Sequence, residues 1–133
     1  MSDCIFCRIA SGEIPCLKIF EDEKTLAFLD IAKDVDGHIL VIPKEHCTNV
    51  LDCDETLLAA VMATVKKVSR HLTEDCGYEG VNLLNASGKS AGQSVFHLHF
   101  HIIPKKPGDG INAWPEFSGA VEELTVMHEK LRM

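Results

Sequence analysis

This sequence lacks the features that mark membrane proteins and proteins that bind nucleic-acid polymers. No apolar run approaches the ~18 residues that a membrane-spanning helix requires. Lysine and arginine form no cluster, and the formal net charge is −7. Such a chain is poorly suited to bind a nucleic-acid backbone through bulk electrostatics, and no membrane partner is expected. A single nucleotide held in a pocket is still compatible with this charge.

Signals for secretion and for magnesium-dependent phosphate chemistry are also missing. The first four residues contain no positive region followed by an apolar stretch, which predicts a cytoplasmic protein in a reducing compartment. No P-loop pattern occurs, and no carboxylate pair typical of metal-dependent phosphodiesterases, so catalysis is not expected to need Mg²⁺. The cysteines should stay as thiols or hold metal, and they are Cys4, Cys7, Cys16, Cys47, Cys53 and Cys76.

The order of apolar patterns predicts a single α+β domain over residues 1–133, with its core at about 3–107 and a tail at 108–133. Apolar residues recur at helical spacing after a cap at Asp52 or Asp54 and predict one long helix to about Asp75. A short C-terminal helix is expected over 122–131. Because the long helix lies between runs of strands, the sheet should be mostly antiparallel. The predicted strands span 18–22, 25–31, 38–42, 81–85 and 97–103.

Three histidines alternate with apolar residues in His97-Leu98-His99-Phe100-His101-Ile102-Ile103, and the run ends at Pro104. Strict alternation predicts a strand with all three histidines on one face, about 6–7 Å apart. Such a row can hold a phosphate, a metal or both, because imidazole titrates near neutral pH. The central residue, His99, is the natural nucleophile toward phosphorus and would form a covalent nucleotidyl-histidine.

A polar loop with Gly88 and Gly92 runs directly into this predicted strand. Loops of this composition offer backbone N–H groups to anions. Gln93, Ser94 and the backbone N–H of Val95 are expected to donate to phosphoryl oxygens, where negative charge accumulates during the reaction.

Cys4-Ile5-Phe6-Cys7 is a Cys-x-x-Cys motif with three possible meanings: a redox pair, half of a zinc site, or coincidence. A redox motif normally follows a strand and opens a helix, and a position at the N-terminus is a poor match to that context. A structural zinc ion needs four ligands, so two more are required. The residues alone do not choose among His38, His46, His71, His97, His99, His101 and His128, although His71 and His128 are expected to be exposed.

The histidine run matches the pattern of the histidine-triad (HIT) family, and four further segments resemble that family in order along the chain. Together they cover roughly residues 3 to 107, and a chance match of five ordered motifs is improbable. The further segments are Ile5-Phe6-Cys7-Arg8-Ile9 with Glu13-Ile14-Pro15, Ala27-Phe28-Leu29-Asp30-Ile31, Gly37-His38-Ile39-Leu40-Val41-Ile42-Pro43-Lys44-Glu45-His46, and the loop Ala91-Gly92-Gln93-Ser94-Val95-Phe96.

The resemblance implies a structural zinc ion. In zinc-containing members, and in the related galactose-1-phosphate uridylyltransferases, a Cys-x-x-Cys pairs with a histidine after the central strand and with the first triad histidine. The positions that match are Cys4, Cys7, His46 and His97. This ligand set would leave His99 free for chemistry. The alternative is that both cysteines are plain thiols and His97 is only hydrogen-bonded.

The resemblance also implies roles around the reacting phosphate. His99 is the nucleophile, and His101 contacts a phosphate oxygen or stabilises the developing charge. His38 supports the row from the adjacent strand, or is simply a satisfied polar group at a strand start. Ser94 resembles the family's donor to the leaving group, and Gln93 would hold the bridging atom of a longer phosphate chain.

A nucleoside needs an acid for its ribose hydroxyls and an apolar slot for its base. Asp30 matches the family's ribose-binding acid, and Phe28, Ile5, Phe6 and Leu40 match positions around the base. Many family members carry an asparagine seven residues before the loop glutamine. That position is Ala86 in this chain, so the neighbouring Asn85 or Ser87 is expected to take its place.

These features predict a nucleotide hydrolase that cleaves purine nucleoside phosphoramidates or related AMP or GMP conjugates. A first alternative is a dinucleoside polyphosphate hydrolase, although Ser94 beside Gln93 favours phosphoramidates. A second is a regulatory protein that binds AMP and has little activity, and a third is a zinc-stabilised interaction module without nucleotide affinity. The resemblance implies a homodimer paired through a strand and the long helix. For the tail, which carries the only tryptophan, Trp114, two alternatives are open: packing on the partner or packing within its own chain.

Overall fold

The computed structural model describes residues 3–133, which form one five-stranded sheet and three α-helices. The strands run in the order β1-β2-β3-β5-β4, and every neighbouring pair is antiparallel. This confirms the predicted α+β class. The elements are α1 (Ile5–Ala10), β1 (Lys18–Glu21), β2 (Thr25–Leu29), β3 (Ile39–Pro43), α2 (Glu55–Glu74), β4 (Gly80–Leu84), β5 (Phe100–Lys105) and α3 (Leu124–Leu131).

The long helix α2 follows the sequence prediction closely. The side chain of Asp54 caps its first turn by accepting hydrogen bonds from the N–H groups of Thr56 and Leu57. The helix ends at Glu74, and Gly77 then takes a left-handed conformation with φ of +83°. The buried apolar face of α2, which packs against the sheet, consists of Leu57, Val61, Val65, Val68 and Leu72.

The central strands β2 and β3 are buried on both faces of the sheet, which explains why β3 is apolar throughout. Successive side chains of β2 and β3 alternate between two cores, as the two-residue period of a strand requires. The core under α2 includes Ala27, Ile39, Val41, Leu98 and Ile102. The core on the opposite face lies beside α1 and contains Phe6, Leu26, Phe28, Leu40 and Ile42.

The triad strand is shorter at its start and longer at its end than predicted. Hydrogen-bonded pairing of β5 with β3 begins at Phe100, so His97 and His99 lie in the segment that leads into the strand. The expected alternation nevertheless holds, because Leu98, Phe100 and Ile102 all face the core under α2. Strand β5 also continues through Pro104, whose missing N–H is tolerated because pairing with β3 has already ended at Ile102.

Other boundaries differ by one or two residues, and two elements were not predicted: α1 and a single 3₁₀ turn at Lys89–Ala91 in the loop before β5. Helix α1 was missed because six residues are too few to display an apolar period. Helix α3 begins at Leu124 rather than at residue 122, and its leucines are exposed. Within residues 3–133 no helix is long and apolar enough to cross a membrane.

Candidate functional site

The three triad histidines line one side of the sheet beside the core around Phe6. His97 is fully buried, and His99 is almost so, with 9% of its surface exposed. The ring of His99 lies 5.0 Å from that of His101 and packs edge-on against Phe6 at 5.1 Å between ring centroids. The structure therefore brings the predicted nucleophile, the predicted phosphate ligand and one predicted base contact into a single group.

The protonation of the His99 ring is determined by its backbone partner. Its Nδ1 lies 2.8 Å from the carbonyl oxygen of His97. A carbonyl oxygen only accepts hydrogen bonds, so Nδ1 must carry the proton. In the neutral ring the lone pair is then on Nε2, which is the arrangement that a nucleophilic imidazole needs.

The ring of His101 has a different partner, another imidazole. His101 Nδ1 lies 2.9 Å from His38 Nε2, and His38 Nδ1 lies 2.9 Å from a carboxylate oxygen of Asp34. A second carboxylate oxygen, from Asp30, is 3.8 Å from His38 Nε2. The two histidines and the two acids thus form a connected polar chain beside His99.

The pKa of His101 is lowered to about 4 in this environment. Burial is the largest cause, because it disfavours the charged ring. Neighbouring His99 and His38 act in the same direction, whereas Asp30 and Asp34 partly oppose it. His101 is therefore neutral at physiological pH in the ligand-free protein.

His97 points toward the N-terminal segment and takes no part in the His38–His101 chain. Its Nε2 lies 2.8 Å from the carbonyl oxygen of Pro43, so Nε2 carries the proton and Nδ1 has the lone pair. Burial lowers the pKa of His97 below its ordinary value. A neutral ring oriented by a backbone carbonyl is the usual form of a metal-ligating histidine.

His97 Nδ1 and three further ligand atoms form a compact cluster. His97 Nδ1 lies 3.3 Å from Cys4 Sγ, 3.5 Å from Cys7 Sγ and 3.2 Å from His46 Nδ1, and Cys7 Sγ is 3.3 Å from His46 Nδ1. All four atoms lie within 4.8 Å of one another. Zinc bonds of about 2.3 Å to sulfur and 2.0–2.1 Å to nitrogen give tetrahedral edges of about 3.3–3.8 Å. The four predicted ligands thus fit a zinc ion in number, type and spacing.

Helix α1 contributes to this cluster directly. Cys4 is its N-cap, and the Cys4 sulfur accepts a hydrogen bond from the backbone N–H of Cys7 at 3.3 Å. The six-residue helix therefore orients both cysteines toward His97.

The loop glutamine is placed differently from expectation. Gln93 is buried, and its Oε1 accepts hydrogen bonds from Gly88 N–H at 2.9 Å and from Asn49 Nδ2 at 3.2 Å. Its Nε2 donates to the carbonyls of Thr48 and Val95 at 2.7 and 3.0 Å. Because every hydrogen-bonding position of the amide is engaged, this arrangement argues against the expected contact with a phosphate chain. The side chain instead ties the loop together.

Ser94, the next residue, is exposed. Within residues 3–133 its hydroxyl makes no hydrogen bond, so it is available to a ligand. Asn85 donates from Nδ2 to the carbonyl oxygen of His99 at 2.9 Å and accepts from the Ser87 hydroxyl at 3.0 Å. Asn85 therefore supports the backbone of the candidate nucleophile, whereas the sequence led us to expect a contact with the nucleotide.

The predicted nucleoside residues gather on the same face. Phe6, Phe28 and Leu40 share one buried cluster, against which Val95 packs, and Ile5 is about half exposed at its margin. Asp30 accepts a hydrogen bond from the N–H of Ala32 through Oδ1. The other oxygen faces His38. Asp30 also lines a cavity of about 480 Å³, together with Lys33, Asp34, Asp36, His38 and Ile111.

Two residues at this site were not identified from the sequence. Asp34 contacts His38 from a polar connection of no recognisable pattern, although its position four residues before a histidine is compatible with the contact. Asn49 supports Gln93 from a different loop, and no local signal in the sequence indicates that pairing.

Comparison with known proteins assigns this site to a family. The sequence profile of the HIT domain matches residues 11–108. Adenosine 5'-monophosphoramidase hnt1 of Schizosaccharomyces pombe is 42% identical over 131 residues, which cover 96% of this chain and 95% of that relative.

Solved structures agree with the sequence comparison. The SMU.412c protein of Streptococcus mutans UA159 superposes with a TM-score of 0.86 at 39% identity, covering 98% of this chain and 82% of that one. A zinc-bound histidine triad family protein from Mycobacterium smegmatis superposes with a TM-score of 0.79 at 36% identity, covering 86% of this chain and 83% of that one. This chain is therefore a member of the HIT domain family, the histidine-triad proteins.

Proposed function

We propose that this protein hydrolyses purine nucleoside phosphoramidates of the AMP or GMP type. In the first step His99 Nε2 bonds to the α-phosphorus, the phosphorus–nitrogen bond breaks, and the leaving amine takes a proton from solvent through the Ser94 hydroxyl. Water then attacks the phosphorus of the nucleotidyl-histidine, the bond from phosphorus to Nε2 breaks, and one proton of that water returns to solvent. The products are the nucleoside monophosphate and neutral His99.

One observation carries this proposal: the hydrogen bond from His99 Nδ1 to the carbonyl oxygen of His97, at 2.8 Å. It keeps the lone pair on Nε2 and needs no carboxylate to do so. A structural histidine would use both nitrogens for support, whereas within residues 3–133 only the Nδ1 of His99 has a hydrogen-bond partner.

The phosphoramidate class is favoured over dinucleoside polyphosphates for two reasons. The relative from Schizosaccharomyces pombe, which spans almost the whole chain, is named as an adenosine 5'-monophosphoramidase. The amide of Gln93 is committed to four protein partners, which leaves it unavailable for the bridging atom of a longer phosphate chain.

Roles for the other site residues follow from their contacts. His101 uses the ring nitrogen not paired with His38 to contact a phosphate oxygen, and the Ser94 hydroxyl and Val95 N–H donate to the phosphate and leaving group. Asp30 accepts from the ribose hydroxyls. The base lies against the apolar residues Ile5, Phe6, Phe28 and Leu40, while Gln93 and Asn85 act by holding the loop and the His99 backbone.

We further propose that Cys4, Cys7, His46 and His97 hold a structural zinc ion. The distances between their ligand atoms, and the hydrogen bond from His97 to Pro43, support this assignment. A zinc ion would cross-link the N-terminal segment to the segment that carries His99. It would leave the His99 lone pair untouched, so no step of the reaction runs through it.

A homodimer through β4 and α2 completes the proposal. Strand β4 is at the edge of the sheet and can extend it into a second copy. Beside it, Met62 and Leu83 are 40% and 44% exposed and line an apolar hollow with Val65 and Val81. Replacing Leu83 with glutamate should halve the mass measured by light scattering, whereas Leu51→Glu, at an exposed leucine outside this hollow, should not. A monomeric wild-type protein would contradict this interface.

The central test is turnover of adenosine 5'-phosphoramidate by the wild type and by His99→Ala. The variant should lose at least about 10³-fold in kcat, because no covalent intermediate can form, while AMP still binds. His71→Ala, at an exposed histidine of α2, serves as the matched control and should keep full activity. Full turnover by His99→Ala would overturn the nucleophile assignment. A wild type that binds AMP without cleaving the phosphoramidate would instead indicate a regulatory protein.

A further inference from the structure

We propose that Asp34 is a positioning residue of this site. Its carboxylate keeps a proton on His38 when a phosphate is bound, and His38 in turn holds His101 with an N–H directed at that phosphate. This inference rests on the proposed function and adds a residue for which neither the sequence motifs nor the family resemblance gave a role.

The contacts define a line of three groups. Asp34 Oδ1 and Oδ2 lie 2.9 and 3.2 Å from His38 Nδ1, and His38 Nε2 lies 2.9 Å from His101 Nδ1. An ionised carboxylate only accepts, so His38 Nδ1 is protonated. The remaining question is where the proton lies between His38 Nε2 and His101 Nδ1.

Two arrangements satisfy these contacts. If His38 is neutral, His101 Nδ1 donates to it, and the outward Nε2 of His101 is a bare lone pair that repels phosphate. If His38 carries a second proton, it donates to His101 Nδ1, and the outward Nε2 of His101 carries a proton that a phosphate oxygen accepts. The productive arrangement therefore requires one additional proton, taken from solvent, on His38.

The surrounding charges decide which arrangement is stable. Two carboxylates face His38, Asp34 at Nδ1 and Asp30 at 3.8 Å from Nε2, so both ring nitrogens lie beside negative charge. His101 faces His38 on one side and the ring of His99 on the other, and it is neutral in the ligand-free protein. A bound phosphate adds a third negative group, which favours the proton on His38.

The role of Asp34 is electrostatic rather than one of packing. Its side chain is 56% exposed, and besides His38 it accepts from backbone N–H groups of its own loop, those of Val35 and of Asp34 itself. The pKa of Asp34 is lowered, chiefly by its hydrogen bond to His38. Because an asparagine offers the same carbonyl acceptor without the charge, Asp34→Asn separates the charge from the hydrogen bond.

The test compares four zinc-replete proteins: wild type, Asp34→Asn, Asp34→Glu and Asp36→Asn. Asp36 is an acid of the same loop that makes no hydrogen bond to His38 within residues 3–133. The first readout is kcat/KM for adenosine 5'-phosphoramidate across pH. The second is proton uptake on binding AMP, from calorimetry in two buffers of different ionisation enthalpy.

Asp34→Asn should lower kcat/KM about 5- to 10-fold at pH 7.5, the typical effect of one charge-assisted hydrogen bond at a partly exposed site. The basic limb of its kcat/KM–pH profile should move to lower pH, and its proton uptake on binding AMP should fall. Asp34→Glu should restore most of both, and Asp36→Asn should match wild type. A merely structural role would leave the pH limb and the proton uptake unchanged.

The possible failures are distinguishable. Unchanged proton uptake and an unchanged pH limb in Asp34→Asn would overturn the role of Asp34 and leave the hydrolase proposal intact. If wild type binds AMP with proton uptake that depends on Asp34 but cleaves no phosphoramidate, the proposed activity fails and the inference stands. If AMP does not bind at all, both proposals are overturned.

Discussion

Two histidines separated by a single residue have different chemistry in this protein because their hydrogen-bond partners differ. His99 donates to a backbone carbonyl, which has no proton to exchange, so its tautomer is constant. His101 contacts another imidazole, so its proton depends on the state of His38 and of the acids behind it. The repeating sequence pattern predicts that the two residues share a face, but their partners come from the fold.

The buried, neutral state of His101 predicts a loss of stability in acid. Its pKa in the folded protein is about 4, whereas the unfolded chain takes up this proton near pH 6.5. Between these values the unfolded state binds more protons, so the free energy of unfolding falls as pH drops from about 6.5 to about 4. Between pH 7 and pH 5, His101 should account for about 2 kcal/mol of that loss.

Urea unfolding of the wild type and of His101→Gln at both pH values measures this contribution. The variant should lose about 2 kcal/mol less than wild type between pH 7 and pH 5. If the proposed zinc ion is released at low pH, its loss would affect both proteins alike and cancel in the difference. The exposed-histidine variant His71→Gln should follow the wild type, and identical acid sensitivity of His101→Gln and wild type would contradict the prediction.

At the scale of elements, two adjacent residues of the loop before β5 are expected to differ in role: Gln93 stabilises the fold, and Ser94 contributes to activity. Gln93→Ala would leave Asn49, Gly88 and two carbonyl groups without the partners they have now, at a cost of about 2–4 kcal/mol in unfolding free energy. Ser94→Ala removes an exposed hydroxyl and should change stability by less than about 0.5 kcal/mol.

Denaturant unfolding and turnover of adenosine 5'-phosphoramidate together test this contrast. Ser94→Ala should keep its stability and lose about 10- to 100-fold in kcat, as expected when a donor to the leaving group or phosphate is removed. Gln93→Ala should lose stability and turnover together. A stable Gln93→Ala variant with normal unfolding would show that the loop does not depend on this amide.

The elements that were predictable from the sequence are those with a long or strict repeat. Helix α2 has five turns of apolar residues and a capping aspartate, and β2 and β3 are bounded by turn residues or proline, so their positions were predicted to within about two residues. Helix α1 is too short for a period to be visible. The start of β5 depends on where β3 begins to pair with it, and that is a tertiary property.

Some residues of the candidate site were likewise predictable from the sequence, and others were not. The histidine row was predicted from its own alternation, whereas Asp30 and the four candidate zinc ligands were predicted from the resemblance to the HIT family. In the structure the ligand atoms of Cys4, Cys7, His46 and His97 lie together, and the ring of His99 lies beside that of His101. The hydrogen bonds of the Gln93 and Asn85 side chains could not be predicted from the sequence, because several of their partners lie in segments that no local pattern connects. The proposed role of Asp34 was likewise not predicted from the sequence, because it depends on the contact between its carboxylate and His38, which only the fold defines.

At the scale of the whole molecule, the candidate metal cluster joins the N-terminal segment to the segment before β5, two parts of the chain that are distant in sequence and also meet through Phe6, His97 and His99. Cys4 and Cys7 are about 90 residues from His97, and four of the five strands, β1 to β4, lie between them in the sequence. A zinc ion at this point would close a loop of about 90 residues and hold α1 against Phe28 and His99. Zinc should therefore contribute to folding stability more than to catalysis.

Substitution of one zinc ligand tests this division directly. Cys7→Ser should lose bound zinc, measured by atomic absorption, and its midpoint of thermal unfolding should fall by about 5–10 °C, as expected for a loss of about 2 kcal/mol in a domain of this size. Cys76→Ser, at an exposed thiol outside the cluster, should keep both its zinc and its midpoint. At a temperature where Cys7→Ser is still folded, its kcat should stay within a few-fold of wild type. The reason is that a backbone carbonyl, not the metal, accepts the Nδ1 proton of His99 and so keeps the lone pair on Nε2. A zinc-free protein with unchanged thermal stability would contradict the structural role, and a complete loss of turnover in the folded variant would assign the metal to the chemistry instead.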